Sequence, residues 1–260
     1  MSDDRSRSAL QALRVRVAEM ETPGRRGFGV LPFGLASLDQ RLPGGGLARG
    51  ALHEVAGAGP EAGPEAGDGA AATLFAAGVL ARTEGAVLWC VKRRDLFAPA
   101  LAQAGLTPER VIFVEAGDEA GVLAAFEEAL RHPGLGGAAA ELSDLGMTAS
   151  RRLHLAAEST GALGLIVRRW RRSRPAAMET PNAAATRWRI APLPATPLQV
   201  DGRLIAGLGR PLWRLDLTRC RGGEGFSLAV EACDGEGRLA LPALLADGSA
   251  AAHAPLQAAS

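Results

Sequence analysis

Residues 33–57 read FGLASLDQRLPGGGLARGALHEVAG. Ser37, Leu38 and Asp39 form a short capped turn that leads to Leu42 and then to Gly44, Gly45 and Gly46. Arg49 and Gly50 precede an apolar strand over 51–55, which contains Glu54 and runs into Gly57. A strand of this kind, entered through glycines and left through another, is the approach to a phosphate-binding loop. Such a loop needs G-x-x-x-x-G-K-[ST], so that backbone amides and a lysine surround the phosphates. Here the strand runs instead into AGPEAGPEAGDGAAAT, where no two glycines have the required offset ahead of a lysine. The approach to a nucleotide site is present and the site's own chemistry is not.

The chain around this stretch has 260 residues, enough for one large α/β domain with appendages. Its hydrophobic content of 47% supports a sizeable core. Net charge is +1, but residues 150–221 hold fourteen Arg against Glu158, Glu179, Asp201 and Asp216, a net of +10 that leaves −9 for the rest. That asymmetry points to one surface for a polyanion or an acidic partner; the plainer alternative is arginines dispersed and paired with the acidic half. Lys92 is the only lysine and tyrosine is absent. Cys90, Cys220 and Cys233 lack CxxC spacing and read as reduced thiols. His53, His132, His154 and His253 offer no metal spacing, and no cofactor is expected. No signal peptide or 18-residue apolar run is present, so membrane contact is not expected and a cytoplasmic protein is.

Outward from 33–57, hydrophobic periodicity assigns the elements. Leu10, Leu13, Val17 and Met20 recur at helical spacing over 5–21, either packed on the chain's own core or docked on a neighbouring chain. Residues 59–67 repeat Gly-Pro-Glu-Ala and read as a mobile surface loop. Helices are expected over 70–82, 96–104 and 121–131, with a further one capped by Thr148 or Ser150 and ending at Gly161. Strands are expected over 86–91, 111–115, 138–142, 163–167 and 185–191. Lys92, Arg93, Arg94 and Asp95 follow the 86–91 strand at its carboxyl end, where open α/β sheets face their ligands. Residues 192–211 read as loop, 212–220 and 226–233 as a hairpin around RGGEG, and 238–245 as a last short element. Strands alternating with helices predict an α/β fold, a mainly parallel twisted sheet with helices on both faces. The C-terminal hairpin extends that sheet antiparallel. Residues 1–28 form an N-terminal helix and linker, 29–240 the core, and 241–260 an Ala-rich tail expected to be disordered.

The blocks LPFGLASLDQRLPGGGLARGALHEVAG, VLWCVKRRDLF, ASRRLHLAAESTGALGLIVRR, ATRWRIAPLP and PLWRLDLTRCRGGEG, in this order, resemble the RecA fold and, within it, the ImuA family of damage-inducible mutagenesis proteins. The resemblance implies a RecA-like core and an accessory role in error-prone translesion synthesis. It implies as partners an ImuB-like Y-family polymerase relative, a C-family error-prone polymerase subunit and, as a further candidate, RecA. It also locates a degenerate nucleotide loop over 57–73, comprising Gly57, Gly67, Gly69, Ala70 and Ala71. With Gly69 at the motif's second glycine, Ala70 and Ala71 replace the lysine and the Mg²⁺-holding hydroxyl residue, and Thr73 is displaced. Glu141 stands near the expected metal-coordinating carboxylate, and Glu54 has a plain structural place at the loop base. The implied protein is a pseudo-ATPase with no catalytic residue.

The basic loop over 168–185 begins RRWRRSR. Arg168, Arg169, Arg171, Arg172 and Arg174 can neutralise phosphates, and Trp170 can stack on an unpaired base of single-stranded DNA. A docking surface for a partner protein or a solvated arginine run fits the same residues. Trp188 and Trp213 sit in strand patterns and read as core, with Arg187 and Arg189 on the face opposite Trp188. The favoured function is a non-catalytic adaptor joining a polymerase complex to DNA or RecA. A divergent RecA-family ATPase or recombinase is the second class, and a SulA-like cell-division inhibitor a third that the basic loop and terminal hairpin disfavour.

Overall fold

The computed structural model describes residues 28–57, 69–169, 180–195, 198–200, 203–205 and 210–242. The expected helix at 5–21, the 59–67 loop, the tail beyond 242 and residues 170–179 lie outside the described residues. Elements follow in the order β1 (Val30–Leu31), α1 (Ala36–Asp39), β2 (Leu47–Ala48), β3 (Ala51–Gly57), α2 (Ala70–Ala81), β4 (Ala86–Val91), α3 (Ala98–Gln103) and β5 (Val111–Glu115). Then come α4 (Glu119–Arg131), β6 (Leu135–Leu142), α5 (Met147–Thr160), β7 (Leu163–Arg168), β8 (Thr186–Leu193), β9 (Leu198–Val200), β10 (Arg203–Ile205), β11 (Leu212–Cys220) and β12 (Phe226–Glu231).

Eight strands form one sheet in the order β12-β11-β8-β3-β7-β6-β4-β5. The six strands from β8 to β5 run parallel, and β11 and β12 add antiparallel beyond β8. The mainly parallel sheet and its antiparallel C-terminal extension are thus as the residue pattern predicts. β3 pairs with β7 and β8 along its edges and is covered by α2 on one face and α5 on the other, so all seven of its residues are buried. A buried parallel strand has no polar face, which is why 51–57 is apolar except at His53 and Glu54.

The two faces carry separate cores. On one, α2 brings Phe75, Val79 and Leu80 against Val55, Trp89, Leu165, Val167 and Trp188. On the other, α4 and α5 bring Val122, Phe126, Leu130 and Leu153 against Leu52, Ala138, Ala140 and Ile166. The lead-in 33–47 belongs to the first core: Phe33, Leu38, Leu42 and Leu47 are all buried. Phe33 stacks on Phe75 at 5.8 Å between centroids, and Trp188 meets Phe33 and Phe226 edge-on at 5.9 and 6.0 Å. Asp39 holds the turn by accepting bonds from the backbone N–H of Phe33 and Gly34, at 2.7 and 2.9 Å.

The glycine run has a steric cause at Gly46. A Cβ there would stand 2.5 Å from the Leu31 carbonyl oxygen and 2.8 Å from Pro32 Cα, both rigid backbone. Gly46→Ala is therefore expected to cost about 1–3 kcal/mol as an overpacking substitution, read by urea denaturation. Gly235, where an added Cβ meets nothing within 4 Å, is the control, with Gly235→Ala expected within about 0.5 kcal/mol of wild type. Equal effects at the two positions would remove the steric account of Gly46.

Four local expectations change. The cap of α5 is Gly146, not Thr148 or Ser150. Ser150 is fully buried one turn in, where its hydroxyl donates to the Met147 carbonyl and accepts from the Ala183 N–H. α3 spans only 98–103, because Pro99 sets its first turn and Gly105 follows its end. The 192–211 stretch is not all loop: Pro192 and Leu193 finish β8, and β9 pairs antiparallel with β10. Pro192 is tolerated because β8 leaves β3 at Ile190 and beyond it pairs only with β11. Of the expected last element over 238–245, the described residues, to 242, show a single bridge between Glu231 and Ala240.

Candidate functional site: the carboxyl-end crevice and the anchors of the basic segment

The strands β3, β7, β6 and β4 end together, and α2 starts beside them. Gly57 closes β3, and Gly69, at φ 64°, opens α2. A Cβ on Gly57 would come within 3.0 Å of the Gly69 backbone, so strand end and helix start abut. Gly67 lies outside the described residues. Ala70 is exposed at the helix start, Ala71 is buried, and Thr73 is buried in the first turn. No side chain at 70 or 71 can reach a phosphate, because both end at Cβ.

Glu141, the last residue but one of β6, lies in this crevice and is almost fully buried. Its carboxylate accepts from the Trp89 indole N–H at 3.1 Å and from Arg169 Nη1 at 2.6 Å. Arg169 also reaches Asp95 Oδ1 at 2.7 Å, and its own N–H donates to the Leu142 carbonyl. Burial pushes the Glu141 carboxyl above the usual range against the pull of Arg169 and Trp89. Burial also works against the Arg169 charge, but the hydrogen bonds and charges of Glu141 and Asp95 outweigh it and raise its pKa. The carboxylate at the expected metal position is therefore already engaged by a guanidinium of the same chain. Among the described residues, no group of His, Cys, Asp and Glu is arranged to hold a metal ion.

Arg168 corrects the sequence expectation. β7 runs through it, and its side chain is only 1% exposed. Alternation puts Gly164, Ile166 and Arg168 on the α4/α5 face, where Glu54 of β3 lies equally buried. Arg168 Nε stands 3.3 Å from Glu54 Oε1, and its Nη2 is 3.5 Å from Asp144. Arg187, on β8, places Nε 3.0 Å from Glu54 Oε2, and the Asn182 amide donates to the same oxygen. Glu54 thus has the structural role expected of it, as a buried counter-ion for two arginines. A lone carboxylate in a doubly covered strand demands such partners, and that demand was the available signal.

These bonds fasten both ends of the 170–179 segment. Glu54 Oε1 faces Arg168 just before it, and Oε2 takes Asn182 just after it. On the far side Arg187 bonds the Thr180 carbonyl, Arg219 the Asn182 carbonyl at 2.8 Å, and Arg221 the Ala183 carbonyl at 3.3 Å. Of the basic residues expected to meet DNA or a partner, Arg168 is an interior anchor and Arg169 a half-buried one. Trp170, Arg171, Arg172 and Arg174 lie outside the described residues. Trp188 and Trp213 are both core, as their strand patterns predict.

Among the described residues no helix is long and apolar enough to cross a membrane. No family model matches the chain. It is similar to "Protein ImuA" of Caulobacter vibrioides, strains NA1000 / CB15N and ATCC 19089 / CIP 103742 / CB 15. Each is 42% identical over 240 residues, covering 90% of this chain and 97% of the relative. Among solved structures, the crystal structure of the RadB recombinase superposes with a TM-score of 0.54 at 16% identity, covering 81% of this chain and 98% of that one. That likeness concerns the fold, which is RecA-like.

Proposed function

The chain belongs to the ImuA family, and from that premise we propose that it is a non-catalytic RecA-like accessory protein of an inducible translesion-synthesis complex in the cytoplasm. It links an ImuB-like Y-family polymerase relative, working with a C-family error-prone polymerase subunit, to damaged DNA or to RecA. The observation that carries this is the crevice: alanines open α2, and Arg169 holds the Glu141 carboxylate that an ATPase would keep for Mg²⁺. A helix start without lysine and a carboxylate already bonded to arginine support a scaffold better than a hydrolase. Residues 170–179, whose flanking residues are tied to Glu54, are then the part that meets the partner or DNA.

The test is co-expression with the ImuB-like partner. The two proteins are expected to co-purify equally with and without MgATP, and a strain lacking this chain is expected to lose damage-induced mutants. Association that appears only with MgATP, or undiminished induced mutagenesis in the deletion strain, would refute the proposal.

A further inference from the structure

Lys92, Arg93 and Arg94 follow β4 into the same carboxyl-end rim, and all three side chains are exposed. None of them makes an ion pair among the described residues, whereas the one acidic group of their turn, Asp95, is bound by Arg169 at 2.7 Å. The turn is fixed from both sides: the Asp95 N–H bonds the Arg93 carbonyl, and Leu96 packs on the core under α2. Phe97 comes next and is 69% exposed, the most exposed of the large apolar side chains among the described residues. The Asp95–Arg169 pair makes this turn continuous with the root of the 170–179 segment. On the β5 side the exposed Glu115 pairs in register with Val91, just before Lys92. The three cations and Phe97 thus stand on either side of Asp95 in the chain, the residue that Arg169 ties to the end of β7.

We propose that Lys92, Arg93, Arg94 and Phe97 form a contact strip for single-stranded nucleic acid, distinct from the basic segment. The inference rests on the reading of this chain as an accessory factor that faces a DNA template. Three successive cations whose neighbouring carboxylate is already neutralised suit a phosphate backbone. One exposed phenyl ring beside them suits an unpaired base, because every base has a π face to stack. An acidic helix from a protein would ask for an apolar groove, and the strip offers one apolar side chain. Duplex DNA keeps its bases stacked away from Phe97, so the single strand is the form that uses all four residues.

The test is fluorescence anisotropy of the full chain with a labelled oligo-dT over a salt series. It compares wild type with Lys92→Ala/Arg93→Ala/Arg94→Ala, with Phe97→Ala, and with Arg171→Ala/Arg172→Ala/Arg174→Ala. These rim side chains are exposed, so the fold is expected to survive, with circular dichroism as the check. The triple rim variant is expected to flatten the salt slope by about two units, at about 0.7 per lost phosphate contact, and to weaken binding several tens-fold near 0.15 M salt. Phe97→Ala is expected to lose about 5- to 150-fold on oligo-dT and much less on duplex. If the rim variants keep wild-type affinity and slope while the 171/172/174 variant loses them, the strip is refuted and the DNA-facing role stands. If the rim variant keeps oligo-dT but no longer co-purifies with the polymerase relative, the strip docks protein and the inference falls. If wild type does not bind oligo-dT, the inference falls as well, and the accessory role is judged separately by the co-purification.

Discussion

Glu54→Leu is expected to lower stability by about 3–5 kcal/mol, the cost of taking the shared buried carboxylate from two buried guanidiniums. Glu54 is 0% exposed and faces Arg168 at 3.3 Å and Arg187 at 3.0 Å. Both guanidiniums are buried, so water cannot replace the carboxylate without opening the α4/α5 face of the sheet. For a domain of this size the loss corresponds to roughly 6–20 °C in Tm. The attribution to charge is separable from packing. Glu54→Leu combined with Arg168→Met and Arg187→Met removes the whole ionic cluster and is expected to recover most of the loss, since such clusters are often replaceable by apolar side chains. A triple variant no more stable than Glu54→Leu alone would contradict the counter-ion role.

Acid is expected to destabilise the protein through His53. The ring is fully buried on β3, with Nδ1 2.8 Å from Thr186 Oγ1 and Nε2 2.9 Å from the Ala48 carbonyl. Trp188 Nε1 donates to the same Thr186 oxygen at 2.8 Å. A carbonyl only accepts, so Nε2 carries the proton, and the Thr186 hydroxyl is free to donate to Nδ1. Burial lowers the His53 pKa to about 4, outweighing the raising effect of the Ala48 bond. The unfolded chain titrates near the ordinary value of about 6.5. Between these values the unfolded state binds the extra proton, so stability falls as pH drops from about 6.5 through 4. The contribution reaches about 3 kcal/mol at the acid end, at about 1.4 kcal/mol per unit. His154, also lowered by burial, acts in the same direction. His53→Gln is expected to start less stable at pH 7 and to lose about 3 kcal/mol less than wild type between pH 7 and pH 4. Parallel curves for the two proteins would contradict the buried neutral ring.

The sheet was legible in the sequence because its strands are short apolar runs bounded by turn residues. β4, β5 and β11 begin and end at the residues that periodicity predicts. The lead-in 33–47 was legible for a different reason: Gly46 has a steric duty, and Phe33, Leu38, Leu42 and Leu47 all enter one core. The site was less legible. Arg168 reads as part of a basic run, yet one more residue of strand turns it inward, and its partner Glu54 lies far away in sequence. The tie between Glu141 and Arg169 likewise depends on β6 and β7 being neighbours, which no local pattern states. β9 and β10 were hidden by the prolines around them. Local rules thus recover elements, whereas the ionic anchors follow from strand order.

The most direct measurement of the central claim, a RecA-like scaffold that works without nucleotide, is calorimetric titration of MgATP into the purified chain. With Ala70 and Ala71 at the start of α2 and Arg169 on Glu141, the account predicts no affinity tighter than about millimolar, near −4 kcal/mol. A micromolar Kd would contradict it and make this chain a nucleotide-binding member of its fold.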